Sequence, residues 1–127
     1  DAVTFAGFVA REDMPAVYNQ ADIFVLPSFS EGMSIGLLEA MASALPVVVT
    51  ANGGTEQLVI SGKNGYVVPW GDVPALAEAL AKLVNAKEVW TSMGAESRRI
   101  AEQFSWTRFA ERYLEFCRAV ASQGKRN

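Results

Sequence analysis

Histidine is absent from all 127 residues. That removes Ser-His-Asp triads, Cys-His pairs and histidine-containing zinc sites from the chemistry this chain can supply. One cysteine, Cys117, excludes an internal disulfide and fits a reducing cytosol. Basic residues are outnumbered, 11 Lys and Arg against 14 Asp and Glu, for a formal charge of −3. A nucleic-acid partner is therefore not expected, because the electrostatic footprint of such binders is missing. No apolar run approaches the roughly 20 residues of a membrane helix, and no basic-then-apolar signal segment stands at the start. Repeats, low-complexity tracts and internal linkers are also lacking. Carboxylates, hydroxyls, a few cations, the backbone and the substrate itself remain as chemical resources.

Half of the residues are hydrophobic and a fifth charged, an ordinary composition for one small globular domain. Short apolar runs alternate with helical patterns. Val3 to Val9 (VTFAGFV) reads as a strand, rich in β-branched and aromatic residues. Arg11 to Ala21 carries Met14, Val17, Tyr18 and Ala21 at helical spacing, with Pro15 near the front where proline is tolerated. Asp22–Leu26 and Pro46–Thr50 are continuous apolar runs suited to strands buried on both faces. Between them, Met33 to Ala44 shows a helical stripe. Asn64-Gly65 marks a turn before a strand at Tyr66–Val68. Asp72 is placed to cap a helix carrying Leu76, Leu80 and Leu83; a second helix follows from Val89 to Phe104; Ser105 can cap a third. The third carries Trp106, Phe109, Tyr113, Phe116 and Val120 on one face, an expected core or interdomain surface. The pattern predicts an α/β fold with a parallel sheet and flanking helices over residues 1–121, then a polar tail over 122–127. Ligands of such sheets bind beyond the carboxyl ends of the strands, which puts Pro27–Gly36 and Ala51–Thr55 on the functional edge.

The segment Pro27-Ser-Phe-Ser-Glu31-Gly-Met-Ser-Ile-Gly-Leu-Leu-Glu39-Ala-Met-Ala dominates that edge. A helix opening near Met33 aims unsatisfied N–H groups and its dipole at the mouth of the sheet, a ready phosphate site. Gly32 and Gly36 permit close backbone approach, and Ser34 can add a hydroxyl. Glu39, inside the helix, can accept both hydroxyls of a vicinal diol such as a ribose. Glu31 precedes the helix, past the phosphate position, where a sugar would lie. Eight residues at helical rise span about 12 Å. Taken alone, two glutamates eight apart also fit a loop residue and a solvated helix residue. Gly53-Gly54 serves equally a plain turn or a ligand contact.

The segment resembles the P-S-x-x-E-G-x-x-x-x-x-x-E-A-M-A signature of family 4 retaining glycosyltransferases of the GT-B class. F-x-G-F-V and A-D-I-F-V-L-P before it, then L-P-V-V-V-T, Gly53-Gly54, N-G-Y-V-V-P and a late F-S-W, stand in the same order as in the family. The likeness covers nearly the whole chain. It implies a partial carboxyl-terminal, Rossmann-like donor domain with about four strands, the third to sixth of a 3-2-1-4-5-6 order. It implies a nucleotide-diphosphate sugar as ligand, with Glu31 contacting the sugar as the catalytic carboxylate and Glu39 the ribose. Gly32, Met33, Ser34, Ile35, Gly36 and Leu38 complete the implied donor site, with Ser30, Phe29, Gly53 and Gly54 as further candidate contacts. No metal or other cofactor is implied. The expected location is cytoplasmic, at the inner face of the membrane when part of a full enzyme.

The chain departs from the family in three ways. Gln57 stands where a glutamate is usual, with Glu56 one place early, so no acidic role is carried over there. Ala44 replaces a common glycine, with little effect expected. The Gly-Arg turn and helix lysine that clamp the diphosphate are not recognisable, nor is the acceptor-binding half. The isolated chain is thus expected to be catalytically incomplete. Without the two intervening strands, Val3–Val9 and Asp22–Leu26 must either pair directly or leave an open edge inviting a second copy. A non-catalytic α/β nucleotide-binding or protein-interaction module is the competing reading. Sugar-nucleotide epimerases and phosphorylases share the architecture, and fold alone would not separate them.

Overall fold

The computed structural model describes residues 2–123, and three parallel strands organise it. Helix α1 spans Met14–Gln20, strand β1 Phe24–Leu26, helix α2 Ile35–Ala42 and strand β2 Val47–Thr50. Strand β3 covers Gly65–Val68, followed by helices α3 (Val73–Asn85), α4 (Trp90–Ala101) and α5 (Trp106–Gln123). The order is β1-β2-β3, with Phe24 opposite Val47 and Val48 opposite Tyr66. This matches the last three strands of the implied sheet.

Strand β2 is central and every residue in it is buried. Side chains alternate across a strand, so Val47 and Val49 join Leu37 and Met41 of α2 in one core. Val48 joins Ala79 and Leu83 of α3 and Met93 of α4 in the other. That two-sided burial explains the unbroken apolar run. Close backbone approaches lock the layers. A Cβ at Gly65 would lie 1.8 Å from the Val47 carbonyl oxygen, and one at Gly94 would lie 2.0 Å from that of Ala44.

Val3–Val9 is not a strand. It is unpaired, and Phe5 and Phe8 are 94% and 95% exposed. Strand backbone needs a ladder partner for its N–H and C=O groups, and among the described residues β1 is paired only with β2. Three strands therefore stand where about four were expected, and the direct pairing of Val3–Val9 with β1 does not occur. The aromatic face of α5 is not core among the described residues: Trp106, Phe109, Tyr113 and Phe116 are all exposed. Ser122 and Gln123 belong to α5; the rest of the expected polar tail, from 124 to 127, lies outside the described residues.

Candidate functional site

The carboxyl ends of β1, β2 and β3 open onto two loops, and a set of buried hydroxyls ties them down. Thr50, the last residue of β2, is 3% exposed; its hydroxyl donates to the Ser28 carbonyl at 2.5 Å. This fastens the loop carrying Phe29, Ser30 and Glu31 to the end of the central strand. The buried Thr55 hydroxyl donates to the Thr50 carbonyl at 2.8 Å. Asn52 Oδ1 accepts from the backbone N–H groups of Gly54 and Thr55, both at 3.2 Å. The buried Asn52 Nδ2 has no protein partner.

The backbones of the two loops approach closely. A Cβ on Gly54 would fall 1.7 Å from the Gly32 carbonyl oxygen and 2.6 Å from that of Glu31. Gly54 therefore holds the Glu31–Gly32 peptide in place by having no side chain. Gly53 sits at φ +89°, in the left-handed region that favours glycine. Its N–H donates to both carboxylate oxygens of Glu56, at 3.0 and 3.2 Å. The Glu56 carboxyl lies below its ordinary range, held there by its own backbone N–H and then those of Asn52 and Gly53. Glu56 is thus spent on folding its own loop. Gln57 lines a hollow of about 200 Å³ with Gly32, Met33, Gly53 and Gly54. A second hollow, of about 180 Å³, lies beside Pro27, Thr50, Pro69 and Trp70. It is largely apolar, and Trp70 meets Phe29 edge-on at 4.7 Å. The first hollow is the candidate ligand site, because of the two it is the one lined by the loop that leads into α2, at Gly32 and Met33.

Ser34 caps α2, its Oγ accepting from the Leu37 N–H at 3.4 Å. Its hydroxyl proton remains available to donate. The helix opens at Ile35, two residues later than the pattern indicated. Ile35 and Gly36, in the first turn, have no intrahelical acceptor for their N–H groups, so these point out as donors. Met33 and Ile35 are exposed, while Leu38 is partly buried against the core. Only Ile35 onward is helical, so helical rise does not fix the whole Glu31–Glu39 separation and the loop sets the position of Glu31.

Glu39 has a partner that sequence spacing did not reveal. The Tyr18 hydroxyl of α1 donates to Glu39 Oε2 at 3.2 Å. Burial first, then the Glu39 charge and this hydrogen bond, raises the Tyr18 pKa above its ordinary value. In the sequence Tyr18 is one more member of an apolar helical stripe. The fastening role of Thr50 was equally hidden at the end of a valine run.

A family model described as "Glycosyl transferases group 1" matches residues 1–86. The chain belongs to this family. A GDP-mannose-dependent alpha-(1-6)-phosphatidylinositol monomannoside mannosyltransferase of Mycobacterium tuberculosis is 34% identical over 126 residues, covering 93% of this chain and 33% of that protein. Sucrose-phosphate synthase from Thermosynechococcus elongatus superposes with a TM-score of 0.87 at 29% identity, over 94% of this chain and 30% of that one. Anabaena Alr3699/HepE, solved in complex with UDP-glucose, gives a TM-score of 0.82 at 26% identity, over 91% and 32%. The chain thus spans about a third of the length of these glycosyltransferases. Its fold is that of a partial GT-B carboxyl-terminal domain. No helix among the described residues is long and apolar enough to cross a membrane.

Proposed function

We propose that this group 1 glycosyltransferase domain holds a nucleotide-diphosphate sugar for glycosyl transfer, with the diphosphate at the start of α2. The observation that carries the reading is one hollow lined by Gly32, Met33, Gly53, Gly54 and Gln57, just ahead in sequence of the Ser34 cap of α2 and its free first-turn N–H groups. Glu31 stands on the loop before the helix and Glu39 within it, so the reading gives Glu31 the sugar and Glu39 the ribose. The reading also places Ser30, Met33, Ser34, Ile35, Gly36 and Leu38 along the donor, although the Leu38 N–H is already given to the Ser34 carbonyl. HepE binds UDP-glucose on the same fold, which supports a donor of this class.

Catalysis needs a cation on the departing diphosphate, the electrostatic stabilisation that dominates such reactions. Neither hollow is lined by lysine or arginine among the described residues. The reading therefore assigns the clamp, and the acceptor site, to a longer chain acting in the cytoplasm, at the inner face of the membrane for a lipid acceptor. The bare aromatic face of α5 fits an interdomain surface. The unpaired edge of β1 would take further strands or a second copy. A concentration-independent monomer mass in sedimentation would remove the second copy.

The deciding experiment titrates UDP, GDP and their hexose conjugates against the chain by calorimetry and thermal shift. Binding should raise the melting temperature by mass action, about 2.7 kcal/mol at a hundredfold excess over Kd. Glu39→Ala should weaken every nucleotide about tenfold, roughly 1.4 kcal/mol. Glu31→Ala should leave the diphosphates alone and erase the extra affinity of the sugar conjugates. No thermal shift with any nucleotide at millimolar concentration would favour the interaction-module reading.

A further inference from the structure

Tyr18 is the only buried residue of α1, 7% exposed, and its ring meets Phe24 edge-on at 6.1 Å. Ala40 and Leu45 complete the apolar cluster around it. A phenylalanine would satisfy all of that packing. The hydroxyl is the part that packing does not require, and it lies 3.2 Å from Glu39 Oε2. The position of a Cβ on Gly36 lies 3.7 Å from the same hydroxyl oxygen. An alanine would fit there, but a longer side chain would crowd the phenol. Glycine on α2 thus leaves room for the phenol that tyrosine on α1 brings to Glu39.

A glutamate on a helix surface is otherwise free to change rotamer, and fixing it on a ligand costs conformational entropy. A carboxylate has two oxygens with about four lone-pair sites, so one hydrogen bond leaves most of its accepting capacity open. We propose that Tyr18 is a positioning residue for Glu39: its phenol holds one carboxylate oxygen so that the other is presented to the ribose hydroxyls of the donor nucleotide. The proposal rests on the donor-site reading above. Burial and the neighbouring carboxylate keep the phenol protonated above the usual tyrosine range, so it remains a donor across physiological pH. The sequence separation of the pair, 21 residues, means that α1 tunes a site otherwise built from the strand ends.

Tyr18→Phe in the 127-residue chain tests this. We expect a melting temperature within a few degrees of wild type, because the ring packing is kept. The Kd for UDP should rise about tenfold. The Kd for 2′,3′-dideoxy-UDP should not change, since that probe has no ribose hydroxyls to present. The Tyr18→Phe and Glu39→Gln losses should not add in the double variant, the behaviour of residues acting through one contact. Wild-type affinity for UDP in Tyr18→Phe overturns the proposal, as does an equal loss for UDP and the dideoxy probe, which would indicate general damage. A wild-type chain that binds neither UDP nor GDP removes the donor-site reading and this proposal with it, so the two failures are distinguishable. A ligand-free arm checks the contact itself by ultraviolet titration of the three tyrosines. One should ionise above the ordinary range, and Glu39→Gln should bring it down; an unchanged titration means the contact is not made.

Discussion

Three residues carry consequences out of proportion to their size. Gly54 is required by the nearness of the Gly32 carbonyl rather than by its own φ, which is −116°. Gly54→Ala must displace backbone, so we expect a loss of about 1–3 kcal/mol in chemical denaturation, the range of overpacking, together with weaker nucleotide binding. Ala44 stands at φ +59° just past the end of α2. The N–H of Leu45 reaches the Ala40 carbonyl and that of Ala44 the Met41 carbonyl, the Schellman pattern that favours glycine here. The alanine is therefore strained, contrary to the little effect expected of it. Ala44→Gly relieves roughly 1–2 kcal/mol of steric cost against roughly 0.5–1 kcal/mol of added chain entropy, so denaturant midpoints should rise modestly. Glu56 supplies a pH dependence. Its folded pKa lies below its unfolded one, so its contribution is present above the unfolded value and disappears as pH falls through the folded value. The Gly53 amide resonance should report that midpoint, below that of a free glutamate, and Glu56→Gln should abolish the transition.

At the scale of elements, end chemistry and periodicity were readable and partners were not. Asp72 caps α3 as expected, Oδ1 accepting from the Ala75 N–H at 2.9 Å with Pro74 in the first turn. Asp72→Ala should cost about 1 kcal/mol by thermal melting. Helix α5 formed as its pattern and Ser105 predicted, the Ser105 hydroxyl oxygen accepting from Arg108 N–H at 3.4 Å. Its apolar face nevertheless has no cover among the described residues. An amphipathic helix without a packed face is marginal, so its amides should exchange with solvent far faster than those of α2 or β2. Equal protection would show that α5 is anchored elsewhere. Val3–Val9 makes the same point for strands, since its composition suits a sheet but among the described residues it pairs with no strand, although one edge of β1 is open.

For the molecule as a whole, stability resides in β2 and the two cores on either side of it. Replacing the exposed Phe5 and Phe8 by serine should leave the melting temperature nearly unchanged, since exposed positions typically contribute within about 0.5 kcal/mol each. The parallel α/β plan, the central burial of Pro46–Thr50 and the edge that carries Glu31 and Glu39 were all legible in the sequence. Apolar runs, helix caps and motif spacing are local signals, and local signals survive without coordinates. The tertiary structure alone decided which strands pair, that Glu56 closes its own loop, that Gly54 wedges the Glu31–Gly32 backbone and that Tyr18 reaches Glu39. Those facts depend on residues distant in sequence meeting at fixed distances. Periodicity records which face of an element is apolar, but not what stands opposite that face.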